Sequence, residues 1–196
     1  GGDTASVFNA NVVLDGMTFL STNDVTFGDA AGDSLTISSA LVTVDTRWGN
    51  ADVVVNSTTT MNNDLTITTG DGDITLYGPV VDGAAGVNTN DLILNSAGLT
   101  QINGEIGAAG AFAIESVTTS WPGTTTIGAD IYTDGGTAIF NDPVTLTADI
   151  LVSDRATAYN VMAHTDCVST GSGVLPDGYG DDRLMTLPLI GDVPDM

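Results

Sequence analysis

The chain has 196 residues and carries 25 acidic side chains against three arginines and no lysine, a formal net charge of −22. That balance excludes a nucleic-acid binder, which needs basic residues to neutralise phosphates, and direct docking on an anionic membrane. Only Glu105 and Glu115 among the acids are glutamate, and Gly contributes 24 residues. Asp and Gly favour turns, whereas the abundant Thr and Val favour pleated, half-buried surfaces. An all-β chain of short strands and tight turns is therefore expected.

The strands recur in one four-residue form: a turn residue, an apolar residue, Thr or an apolar residue, and an apolar residue. In chain order these are Asp24-Val-Thr-Phe27, Ser34-Leu-Thr-Ile37, Asp52-Val-Val-Val55, Asp64-Leu-Thr-Ile67, Asp73-Ile-Thr-Leu76, Asp91-Leu-Ile-Leu94 and Pro143-Val-Thr-Leu146. The two flanking apolar residues point to one face and the middle residue to the other, giving each strand a core side and an outer side. A longer echo runs from Thr58 (TTTMNNDLTITTGDGDITLYGPV) and again from Thr124 (TTTIGADIYTDGGTAIFNDPV). About three coils of roughly 22 residues would fill the offset between them, a plausible solenoid period. The turn Ala-Ala-Gly recurs at 30–32, 84–86 and 108–110, where small residues would permit close stacking of neighbouring coils.

These features predict a parallel β-solenoid, with an antiparallel β-sandwich or jelly roll as the alternative. Residues 1–154 form the repeat domain in this reading. Residues 155–196 lack the repeat and read as a capping or docking tail, since repeat arrays need atypical ends. The apolar stretch Leu184, Met185, Leu187, Leu189 and Ile190 is the candidate partner-docking strand. No apolar run is long enough for a transmembrane helix. The Gly1-Gly2 opening, without Met or a signal peptide, reads as a processed or excised segment.

Gly72-Asp-Ile-Thr-Leu-Tyr-Gly-Pro-Val-Val-Asp-Gly83, Asp91-Leu-Ile-Leu-Asn95, Gln101-Ile-Asn-Gly-Glu-Ile-Gly107 and Gly136-Thr-Ala-Ile-Phe-Asn-Asp-Pro-Val-Thr-Leu146 share one strand-and-turn rhythm. It resembles the repeats of secreted bacterial adhesins of the filamentous-haemagglutinin and autotransporter type, over roughly residues 24–153. The resemblance implies a right-handed parallel β-solenoid, surface exposure, and a role in adhesion or assembly.

Calcium is the candidate cofactor, because it takes oxygen ligands from Asp in flexible turns. The candidate ligands are Asp71 and Asp73, and Asp177, Asp181 and Asp182. The competing reading is that Asp makes turns and keeps the surface soluble. His164 and Cys167 supply two potential zinc ligands, where a structural site takes four. Trp48 and Trp121 could stack on sugars, although single aromatics more often anchor a core or a turn. Asn56-Ser57-Thr58 is a glycosylation sequon. A β-helix enzyme degrading polysaccharides would use paired carboxylates. Paired Asp residues are too common here to mark such a site, and three Arg are few for an acidic substrate.

The expected function is a non-enzymatic extracellular or cell-surface protein, bacterial or archaeal. It is read as a self-associating subunit of a filament, fibre or sheath, with neighbouring copies as partners. The alternatives are an adhesin stalk or binding module meeting a glycan or surface receptor and, after it, the polysaccharide-degrading enzyme.

Overall fold

The computed structural model describes residues 4–30, 32–84, 89–108, 112–120, 122–154, 161–163 and 168–169. Within them no helix occurs, and the strands follow one another around three faces. The first coil holds β1 (Ser6–Phe8), β2 (Val12–Leu14) and β3 (Thr18–Leu20), and the second β4 (Val25–Phe27), β5 (Ser34–Ile37) and β6 (Val42–Asp45). The third holds β7 (Val53–Val55), β8 (Thr58–Met61) and β9 (Leu65–Gly70), and the fourth β10 (Ile74–Leu76), β11 (Val80–Asp82) and β12 (Asp91–Ser96). The fifth holds β13 (Leu99–Ile102) and β14 (Ser116–Thr119), and the sixth β15 (Thr124–Ile127), β16 (Ile131–Thr133) and β17 (Ala138–Phe140). Beyond them lie β18 (Val144–Leu146), β19 (Val152–Asp154), β20 (Val161–Ala163) and β21 (Val168–Ser169).

Each strand pairs in parallel with its counterpart one coil away. The first face is an 8-stranded sheet, β1-β4-β7-β10-β13-β15-β18-β21. The third is a 7-stranded sheet, β3-β6-β9-β12-β14-β17-β20. The second face runs β2-β5-β8-β11 and resumes at β16-β19. Single bridges from Ile106 to Val80 and to Ile131 carry it across the gap. The all-parallel ladders make the protein a β-solenoid and leave no place for the antiparallel sandwich. β20 and β21 carry the third and first faces beyond Asp154; the rest of the tail lies outside the described residues.

The alternation read from the sequence places the core. Val25 and Phe27, Leu35 and Ile37, Leu65 and Ile67, Ile74 and Leu76, and Leu92 and Leu94 all point inward and are fully buried. Each such side chain contributes roughly 1.5–3 kcal/mol. At the first coil Phe8 stacks on Phe27 with centroids 5.2 Å apart, and Phe19 meets Phe8 edge-on at 5.7 Å.

Two sequence expectations change in detail. The Thr58 segment opens on the second face, as β8, but the Thr124 segment opens on the first, as β15. The echo therefore spans two coils and two faces, not three coils, because every face accepts the same strand grammar. Close stacking is carried by other glycines, since a Cβ on Gly32 of the first Ala-Ala-Gly turn would meet nothing within 4 Å. A Cβ on Gly104 would lie 2.2 Å from the Gly78 carbonyl, and one on Gly78 would lie 2.0 Å from that of Ser57.

Candidate functional site

Acids gather at the corners between faces, and the middle of each face is uncharged. On the first face the central outward row reads Val7, Thr26, Val54, Thr75, Gln101, Thr126 and Thr145. On the third it reads Thr18, Thr43, Thr66, Ile93, Thr118 and Ile139.

The corner acids join coils. Asp24 Oδ1 accepts the Asp52 backbone N–H at 3.0 Å, 28 residues on. Asp52 Oδ1 accepts that of Asp73 at 2.8 Å, 21 residues on, and Asp73 Oδ1 that of Leu99 at 2.8 Å, 26 residues on. Asp64 holds the Asp91 amide at 2.9 Å, and Asp130 that of Leu151 at 2.8 Å. Asn11 and Asp15 do the same for Ser34 and Ser39. In each case a side chain of one coil satisfies an amide of the next, so these staples have a direction along the stack. The recurring Asp is thus a joint between turns of the solenoid as well as a turn former.

This geometry places the calcium candidates. Asp71 is exposed, and Asp73 spends one oxygen on Leu99. Among the described residues no group of three or more acidic, His or Cys side chains converges. Asp177, Asp181 and Asp182, the docking candidates Leu184, Met185, Leu187, Leu189 and Ile190, and His164, Cys167 and Trp121 lie outside the described residues. The sequon is tied into the fold: the Asn56 amide donates to the Gly28 carbonyl at 2.9 Å, and Ser57 is buried.

Sequence reasoning missed three buried acids. Asp142 accepts the hydroxyls of Thr119 at 2.6 Å and Thr125 at 2.8 Å. Asp82 accepts the Asn90 amide at 2.8 Å. Asp45 pairs with Arg47, Nε to Oδ2 3.0 Å. Local sequence does not separate Asp82 and Asp142 from turn aspartates, because the partners named for them lie 8 to 23 residues away, whereas Asp45 has its signal in Arg47, two residues on. Glu105 and Asp130 stand one coil apart at another corner. Burial, and then the Asp130 charge, push the Glu105 carboxyl above its ordinary value. Tyr132, whose hydroxyl donates to Asp130 at 3.2 Å, is pushed up chiefly by burial.

Two surface features stand outside the regular pattern. The first coil exposes Val7 (53%), Val13 (67%) and Leu20 (64%), one on each outer face. At the corner after β6, Trp48 is 77% exposed, so it anchors no core. No family model, curated protein or solved structure matches the chain.

Proposed function

We propose that the chain is a structural, non-enzymatic protein of a bacterial or archaeal surface. It is a self-associating subunit of a filament, fibre or sheath whose coils stack end to end. The observation that carries this reading is the first coil. Among the described residues, no strand pairs with the outer edge of β1, β2 or β3. Ser6 and Phe8, and Leu14 on the next face, hydrogen-bond toward the second coil. The alternating Val7 and Val13 amides therefore face outward from the stack.

An unpaired edge of this kind is a template for another strand. Val54 and Val81, which lie in the same outward rows as Val7 and Val13, are only half-exposed because coils flank them on both sides. A further coil on the first would cover Val7 and Val13 likewise. The staple direction supports a coil of the same grammar, since the occupant should bring corner Asp and Asn side chains to the first coil's amides. A second copy carries such corners. With a charge of −22 per copy, association needs salt or divalent cations to screen repulsion.

Sedimentation velocity across concentration and NaCl tests this with Val13→Pro. The substitution removes an outward N–H, spares the ladder to β5, and replaces an exposed side chain. The wild type is expected to grow into longer particles with concentration and salt, while Val13→Pro stays monomeric with an unchanged melting midpoint. A wild type that is monomeric throughout, or a variant that assembles equally well, contradicts the reading. The adhesin-module reading is favoured by a different observation, the exposed Trp48.

A further inference from the structure

Four residues, Arg47 to Asn50, project where the third face turns onto the first. They are held firmly. The Thr46 hydroxyl donates to the Ala51 carbonyl at 2.5 Å, and the Gly49 amide to the Thr46 carbonyl at 3.0 Å. Gly49 lies directly against the Thr22 backbone, where a Cβ would come within 2.0 Å of the Thr22 carbonyl oxygen. Asn50 sits in the left-handed region at φ 49 and accepts the Asp71 amide at 3.2 Å. Trp48 is therefore presented on a fixed ledge, with its indole in water.

Arg47 is the only basic side chain among the described residues. Its guanidinium carbon lies 5.6 Å from the Trp48 ring centroid, and its Nε is paired with the buried carboxylate of Asp45. The cation orients the ring, and the ion pair leaves the ledge locally neutral. Leu20 and Thr68 flank Asp45 in register on either side, and the Asn95 amide lies 3.4 Å from the Thr68 hydroxyl.

We propose that this ledge is a binding site for neutral saccharides, with a pyranose ring laid against the Trp48 indole and its hydroxyls meeting Arg47, which the buried Asp45 holds in place, and Thr68. An exposed aromatic plate beside a few fixed polar groups suits a ligand that is apolar on one face and hydroxylated at its rim. Polyanionic glycans are repelled by the net charge of −22. A protein hot spot draws its strength from surrounding contacts that exclude water. Trp48 instead stands out from a corner, 77% exposed, two residues before Asn50, which holds the amide of the exposed Asp71. This inference is independent of end-to-end assembly.

Affinity electrophoresis tests it in gels containing hydroxyethylcellulose, laminarin, galactomannan or xylan, with alginate as the polyanion. The wild type is expected to be retarded by at least one neutral polysaccharide and not by alginate. Trp48→Ala should weaken that retardation about tenfold, the loss of one aromatic contact. Arg47→Ala should weaken it less. Tyr77→Ala, which removes an aromatic exposed elsewhere, should leave it unchanged, and Val13→Pro should bind as the wild type does. Circular-dichroism melting confirms that each variant is folded. The site is overturned by no retardation in any neutral gel, by retardation in alginate alone, or by Trp48→Ala binding as the wild type. It is also overturned if Trp48→Ala abolishes self-association, which would make the ledge an interface between copies.

Discussion

The corner column Asp24–Asp52–Asp73 sets two effects against each other, and one residue separates them. Asp52 receives the Asp73 amide at 2.8 Å and gives its own amide to Asp24 at 3.0 Å. Its carboxylate therefore has a like charge one rung away on each side. At a rung spacing of about 4.8 Å each neighbour costs about 0.9 kcal/mol in water, rising toward about 3.5 at an effective dielectric near 20. The hydrogen bond it accepts is worth about 1 kcal/mol net. Asp52→Asn keeps an acceptor oxygen and removes the charge. Asp52→Ala removes both. At low salt Asn should therefore raise stability by about 1–2 kcal/mol, a gain that fades toward 1 M NaCl, where screening falls to about 3 Å. Ala should lie about 1 kcal/mol below Asn at every salt concentration, or roughly 2–4 °C in melting midpoint for a chain of this size. Thermal melts by circular dichroism at 10 mM and 1 M NaCl measure both differences. Coincident Asn and Ala curves would remove the staple. A wild type more stable than Asn at low salt would remove the repulsion and point to a bound cation.

Four further outcomes follow from the same geometry. If screening rather than a specific site is how divalent cations act, equal concentrations of Mg²⁺ and Ca²⁺ should raise the melting midpoint equally; a calcium-selective shift would instead support a true site among Asp71, Asp73, Asp177, Asp181 and Asp182. Asp142→Ala should cost roughly 2–4 kcal/mol, because it leaves the Thr119 and Thr125 hydroxyls buried without their acceptor, and urea denaturation would measure it. Gly104→Ala should cost roughly 1–3 kcal/mol through collision with Gly78, while Gly32→Ala, with open space around its Cβ position, should be neutral in the same assay. Glu105 titrates above its ordinary 4.5 in the folded chain, so its contribution to stability is fully present below that value and is lost as pH rises through the folded pKa. Glu105→Gln should accordingly melt with the wild type near pH 4 and above it at pH 7; a gap that does not widen with pH would contradict the burial of that carboxyl.

Much of the architecture was legible because a strand of the form Asp-Leu-Thr-Ile states its own inside and outside. That pattern places Leu65, Ile67, Ile74 and Leu76 in the core without reference to the rest of the chain. The phase of the solenoid was not legible. Identical strand grammar serves all three faces, so the TTT segments look equivalent and yet begin on different ones. The acids were harder still. Asp52 and Asp142 both stand at a corner just before a strand, but one is exposed and stapled to the next coil while the other is sealed beneath two threonines. Their difference lies in partners 17 to 28 residues away. Trp48 was noticed as a possible sugar platform, but its exposure depends on Gly49 packing against Thr22 in the preceding coil.

Hydrogen exchange at the first coil tests the central claim most directly. Exchange at the amides of Val7 and Val13 should be fast in dilute, low-salt solution and become strongly protected at high concentration and salt, when a further coil covers the edge. Amides that exchange equally fast under both conditions would mean that copies do not meet end to end through this coil, and the account of a stacking subunit would fail.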